Sequence, residues 1–111
     1  MIELPFPASS LSGHAKGHWR SKSSPTAKHR EWAFNATKAA GYAVQPEGDI
    51  SIHITFVPPD RRGDRVNFPN RMKPYFDGIA EALGVNDSRF VPHFHFCAPE
   101  KPGRVEVRIG T

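Results

Sequence analysis

Apolar and polar residues alternate most regularly at Ile50, Ile52, Ile54 and Phe56, with Ser51, His53 and Thr55 between them. A period of two sends successive side chains to opposite faces, so this pattern predicts a half-buried β-strand that stops before Pro58-Pro59. Two further alternations follow, Phe90, Phe94, Phe96 and Ala98 with Val91, His93, His95 and Cys97, then Val105, Val107 and Ile109 with Arg104, Glu106 and Arg108. They predict two closing strands joined through Pro99 to Gly103, read together as an antiparallel hairpin. At the other end, Ile2-Glu3-Leu4-Pro5-Phe6-Pro7 predicts a short first strand, confined by its prolines to a strand end or a sheet edge.

The stretch from Ala8 to Ser24 has no apolar period and is rich in Ser, Gly, His and Lys, which reads as a long basic loop. Ser24 then suits a helix N-cap and Pro25 the first helical position, and in the helix they open Trp32, Ala36, Ala39 and Ala40 share a face before Gly41. Met72, Phe76, Ile79 and Leu83 predict a second helix from roughly Asn70 to Leu83, with Pro74 in or near its first turn and Gly84 in the left-handed position that ends it. The order strand, helix, strand, helix, strand, strand implies one α/β or α+β domain over residues 1–111, with a mixed sheet of about four strands and two main helices.

Composition narrows the class. A chain of 111 residues that is 38% hydrophobic supports one small core. No apolar run approaches the roughly 18 residues of a membrane span, and the start lacks the pattern of a secretory signal, so cytoplasm is the expected compartment and no membrane is expected. The single cysteine, Cys97, excludes an intramolecular disulfide and reads as a small buried hydrophobe rather than a nucleophile. No glycine-rich phosphate loop occurs, so no nucleotide cofactor is expected.

The net charge of +4 is unevenly distributed. Lys16, Arg20, Lys22, Lys28, Arg30 and Lys38 face only Glu31 between His14 and Lys38, with His14, His18 and His29 adding charge in mild acid. A second island holds Arg61, Arg62, Arg65, Arg71 and Lys73, with Asp60 and Asp64 embedded in it. Such islands suit a polyanion, and the phosphate-binding set expected from them is Lys16, Arg20, Lys22, Arg61, Arg62, Arg65 and Arg71. His93 and His95 share a strand face to which His53 could add, yet solvent-side histidines on a strand are ordinary and a metal needs further ligands.

Pro58 to Phe90 carries the most specific pattern: Pro-Pro-Asp-Arg-Arg-Gly-Asp-Arg-Val-Asn-Phe-Pro-Asn-Arg-Met-Lys, a helix with Asp77, then Gly-Val-Asn-Asp-Ser-Arg-Phe. This stretch resembles the RusA-type Holliday junction resolvases, which end the second strand with a similar Pro-Asp-Arg-Arg run and enter the next helix through Asp-x-Asp-Asn-x-x-Lys. Leu4-Pro5-Phe6-Pro7, Phe76-Asp77, Leu83 and Asn86-Asp87 extend the resemblance along most of the chain. It implies a small homodimer that cuts four-way DNA junctions with Mg²⁺, using aspartates of both subunits.

The motif's centre departs from that family, reading Asn67-Phe68-Pro69-Asn70-Arg71-Met72-Lys73, so that Asn67 and Pro69 stand where the family has aspartates. Carried over position by position, the resemblance implies Asp87, Asp77, Lys73 and Asn67 as the catalytic set, with Asp87 and Asp77 holding the metal; Asp64, which matches no family position, is a candidate substitute ligand by its nearness in sequence. In an extended segment an odd offset puts Asp64 on the opposite face from Asn67, and a bulge after Gly63 would restore the face. Two readings result. One is a divergent metal-dependent endodeoxyribonuclease of recombination and repair; the other is a relative that binds branched DNA or a protein partner without cutting.

Overall fold

A computed structural model describes residues 1–11, 19–43 and 45–110, the side chains of residues 19–24 excepted. In chain order the elements are β1 (Ile2–Leu4), a 3-10 turn (Ser9–Leu11), α1 (Trp19–Ala40), β2 (Ile50–Val57), a 3-10 stretch (Arg65–Arg71), α2 (Lys73–Leu83), a 3-10 turn (Asp87–Arg89), β3 (Phe90–Phe96) and β4 (Arg104–Ile109). The strands form one four-stranded mixed sheet in the order β1-β4-β2-β3, as the element order implied. β2 runs parallel to β3, with α2 as the crossover a parallel pair requires, and β4 is antiparallel to both β2 and β1.

The closing hairpin is not formed, because β3 and β4 lie on opposite edges of β2. The connection explains this. The Cys97 amide donates to the Phe56 carbonyl at 2.9 Å and the Glu100 amide to the Pro58 carbonyl at 2.8 Å, so the chain leaving β3 stays on β2 and passes its end. Gly103, with φ 87°, turns it back so that Val105 pairs with Phe56 and Ile109 with Ile52. A Cβ at Gly103 would sit 2.8 Å from the Pro59 nitrogen, so the turn needs glycine for its close approach as well as its backbone angle. β2 is thereby hydrogen-bonded on both edges, and Ile52, Ile54 and Phe56 are fully buried beneath the helices with Met72, Tyr75, Ile79, Val105 and Val107.

Both helices depart from expectation at their starts. α1 begins at Trp19 and carries Pro25 inside it, within the segment expected to be loop. A proline removes one backbone donor, which ends a helix only if nothing else holds the turn; here the Pro25 carbonyl, from inside the helix, accepts from His29 Nδ1 at 2.6 Å. The buried stripe of α1 is His29, Ala33 and Thr37 rather than the expected Trp32 face; Trp32 is 41% exposed, and Ala39 and Ala40 are exposed. Close packing decides the rotation. A Cβ on Gly78 of α2 would lie 2.2 Å from the Arg30 carbonyl oxygen and 3.0 Å from Ala33 Cβ, so the helices meet backbone to backbone where no indole fits. Thr37 is tolerated there because its hydroxyl donates to the Ala33 carbonyl at 2.7 Å. α2 starts at Lys73 rather than near Asn70, since the 3-10 stretch containing Pro69 takes the preceding residues, while Pro74 in the first turn and Gly84 at φ 70° fall as expected.

Candidate functional site

The first turn of α2 and the 3-10 turn before β3 bring Lys73, Asp77 and Asp87 together. Lys73 Nζ lies 3.0 Å from Asp77 Oδ1, one helical turn away, and is hydrogen-bonded to Asp87 Oδ2. Asp87 reaches it because Gly84 ends the helix and the Asn86 side chain caps the next turn, accepting from the Ser88 amide. The hydrogen bond from Lys73 holds the Asp87 carboxyl below its ordinary pKa, against the opposing effect of burial. The same bond, with that to Asp77, raises Lys73. Lys73 is nonetheless 67% exposed, so the cluster is wet and its pairings are weak.

Three of the four residues that the resemblance groups as catalytic are thus neighbours, whereas Asn67 lies in the 3-10 stretch, where its amide donates to the Asp64 carbonyl at 2.9 Å. Asp64 stands at the start of that stretch. Its side chain caps the 3-10 stretch by accepting from the Val66 amide at 3.2 Å. Mg²⁺ binds hard oxygen ligands in octahedral geometry, and the donor set here does not fit it. The Lys73 ammonium stands between the two carboxylates, Pro69 offers no ligand, and no group of three or more His, Cys, Asp or Glu among the described residues is arranged to hold a metal.

The basic residues separate into two kinds. Arg61 and Arg65 are exposed, pair with no carboxylate among the described residues, and flank a groove of about 520 Å³ that Ala98 and Pro99 line from the β3–β4 connection. Arg62 projects beside them and lies 3.7 Å from Asp60. Arg71 is different: it is half-buried, its guanidinium packs 5.1 Å from the Phe68 ring and 5.9 Å from the Phe6 ring, and it donates to the Pro7 carbonyl at 3.3 Å. Lys16 and the side chains of Arg20 and Lys22 lie outside the described residues.

His29 does not join the basic surface. It is 5% exposed, accepts from the Ala8 amide at 3.3 Å through Nε2 and is held below its ordinary pKa chiefly by burial. On the open face of the sheet, the His53 ring stacks on His93 at 4.6 Å and on His95 at 5.9 Å, beside Arg108 across the β2–β4 pair. Parallel rings do not converge their nitrogens on one point, which leaves this ladder without a metal-ligating geometry. His53 is held below its ordinary pKa by loss of solvent first, then by Arg108, His93 and His95. Cys97, expected to be buried, is exposed just beyond β3.

A cavity of about 750 Å³ that no sequence pattern marked lies between Pro5–Ser9, Pro59–Gly63 and Pro102–Arg104, bordered by Arg71. The one signal available was the recurrence of proline in all three segments, a residue that stiffens loops but says nothing of their meeting.

No family model matches the chain. It is similar to an uncharacterized protein of Xylella fastidiosa (strain Temecula1 / ATCC 700964), with 40% identity over 96 residues covering 83% of this chain. The chain spans 63% of that relative's length. Among the described residues, no helix is long and apolar enough to cross a membrane.

Proposed function

We propose that this chain is a RusA-like domain that binds branched DNA, as a homodimer, without cutting it. The observation that carries the reading is the state of the acidic pair: Asp77 and Asp87 are both engaged by Lys73. Lys73 thereby acts as a built-in counter-ion, and the acidic patch remains compatible with a nearby phosphate backbone. Arg61, Arg62 and Arg65 supply the contacts to phosphate, which fix affinity without reading sequence. The homodimer part of the reading is supported by β3, a sheet edge with no partner strand among the described residues, on which Val91 is 38% and Phe96 41% exposed.

The second reading, a Mg²⁺-dependent endodeoxyribonuclease acting on four-way junctions in recombination and repair, is favoured by one observation, the meeting of Asp77 and Asp87 that the resemblance implied. It requires Lys73 to leave the pair. One experiment separates the two: binding of a labelled four-way junction and of linear duplex by fluorescence anisotropy, with product analysis in Mg²⁺ and Mn²⁺. The expected result is junction-preferring, salt-sensitive binding with no cleavage, weakened by the pair Arg61→Ala and Arg65→Ala. Cleavage abolished by Asp87→Asn establishes the second reading; absence of binding by wild type at low salt overturns both. Sedimentation showing only a monomer removes the homodimer from the reading.

A further inference from the structure

Arg71 differs from the two other arginines that border its cavity, Arg62 and Arg104, in having no carboxylate partner among the described residues. Arg104 on the same cavity is bridged to Glu106 at 2.8 Å and Glu100 at 3.2 Å, and Asp60 serves Arg62 through both its amide at 2.9 Å and its guanidinium. Among the described residues Arg71 pairs with no carboxylate, makes one hydrogen bond, to the Pro7 carbonyl, and has its Nε buried without an acceptor. Arg71 as a whole is half-buried, so the orphan is its Nε–H rather than the entire guanidinium, and a buried donor is ordinarily satisfied by some partner.

The surroundings hold the guanidinium in place and keep space open beside it. The Phe6 and Phe68 rings, edge to face at 5.0 Å, both pack against it. Gly63, at φ 85°, lines the same cavity, and a Cβ there would stand 3.3 Å from the Phe68 ring and 3.8 Å from Arg71 Nη2. The absence of a side chain at this position leaves Nη2 uncovered on that side. Pro5, Pro7 and Pro59 contribute apolar wall to the cavity, whose lining also includes Glu3 and Asp60.

We propose that this cavity is a phosphate-binding site in which Arg71 is the principal ligand and Arg62 a second. An arginine held by aromatic rings is suited to a phosphate, which accepts charge-assisted hydrogen bonds on several oxygens at once. Lys73, Asp77 and Asp87 do not line the cavity, and the site stands whether or not the chain binds junctions.

The test titrates inorganic phosphate into the full wild-type chain at constant ionic strength and follows amide and arginine Nε–H signals by NMR. Saturable shifts are expected at Gly63, Gly103 and Arg71 Nε–H. Arg71→Met keeps an unbranched stem against Phe6 and Phe68 and should weaken binding by about tenfold or more, the loss expected for a charged hydrogen bond. Arg62→Ala should weaken it less. A 5′-phosphorylated dinucleotide compared with its unphosphorylated form tells a terminal phosphate from a backbone diester as the natural source, and tighter binding of either supports the site. Acetate binding as tightly as phosphate, shifts that grow linearly with phosphate, saturable shifts confined to residues around Lys73, or unchanged affinity in a folded Arg71→Met each overturns it. The wild-type map decides the matter even if that variant fails to fold, and because no DNA cleavage or junction is involved, its failure is separate from failure of the proposed function.

Discussion

Ile54 and His53 are adjacent in β2, and each meets its counterparts on the same two flanking strands, yet the two faces they belong to behave as different materials. Ile54 stands between Phe94 of β3 and Val107 of β4, under both helices and fully buried. His53 stands between His93 and Arg108 on the face the helices leave open, with its ring stacked rather than enclosed. One face removes apolar surface from water and fixes the fold; the other presents polar groups that water already satisfies. The difference teaches where to look for function: not on the open face, whose histidines stack on one another, but at the ends of the sheet, where loops carry Arg61, Arg65, Arg71 and Lys73.

The largest effect that tests this contrast is expected at the buried face. Ile54→Ala should cost about 2–5 kcal/mol of unfolding free energy, read from urea denaturation, because the cavity it leaves is enclosed by strands and helices. A loss no greater than that of a surface substitution would mean that the helices are not packed on this face. Next comes the seam between the helices. Gly78→Ala places a methyl group where the Arg30 carbonyl oxygen is 2.2 Å away, and backbone cannot rotate aside as a side chain would. Thermal unfolding should show an overpacking cost of about 1–3 kcal/mol or more.

A third prediction concerns the pH at which the buried face weakens. His29 resists protonation in the folded chain because of burial, so its folded pKa lies below the ordinary 6.5. The unfolded chain therefore takes up the proton first, and stability is complete above pH 6.5 and falls as pH drops towards the folded value. Urea midpoints measured at pH 7.5 and 5, roughly spanning that window, should fall in wild type and fall less in His29→Gln. An equal fall in both would place the acid sensitivity elsewhere, for instance in the His53 ladder.

The smallest effects belong to the exposed groups. Replacing His53 and His93 together by Ser should leave the urea midpoint close to that of wild type, as is usual for surface positions. Asp87→Asn should cost under about 1 kcal/mol, since Lys73 is largely exposed and the pair is screened. The sign still matters: Asp87, held below its ordinary value, contributes above that value and loses its contribution as pH falls through the lowered one. A substantial destabilisation by either change would erase the distinction between the two faces, and denaturant curves of the variants decide it.

Alternation and helical spacing were enough to find every strand and both main helices, because burial on one face leaves a period of two or of 3.6 whatever the partner strands are. The bounds of β2, the stop at Gly84 and the first-turn place of Pro74 followed from local chemistry alone. The proximity of Lys73 and Asp77 was likewise local, one helical turn apart on a single face. Other features were not local. That β4 crosses to the far edge of β2 depends on hydrogen bonds from Cys97 and Glu100 to a strand 41 and 42 residues earlier in the chain, counted from Phe56 and Pro58, and no turn signal encodes such a choice. That His29, Ala33 and Thr37 rather than Trp32 face inward depends on how closely α2 approaches at Gly78. Arg61 and Arg71 are the same residue type in the same basic island, and composition treats them alike; only the packing of Phe6 and Phe68 leaves one in water and draws the other against a cavity wall. Period and capping are properties of neighbours in sequence, so sequence determined them, whereas charge acquires its meaning from what surrounds it, and those surroundings exist only once distant segments have packed together.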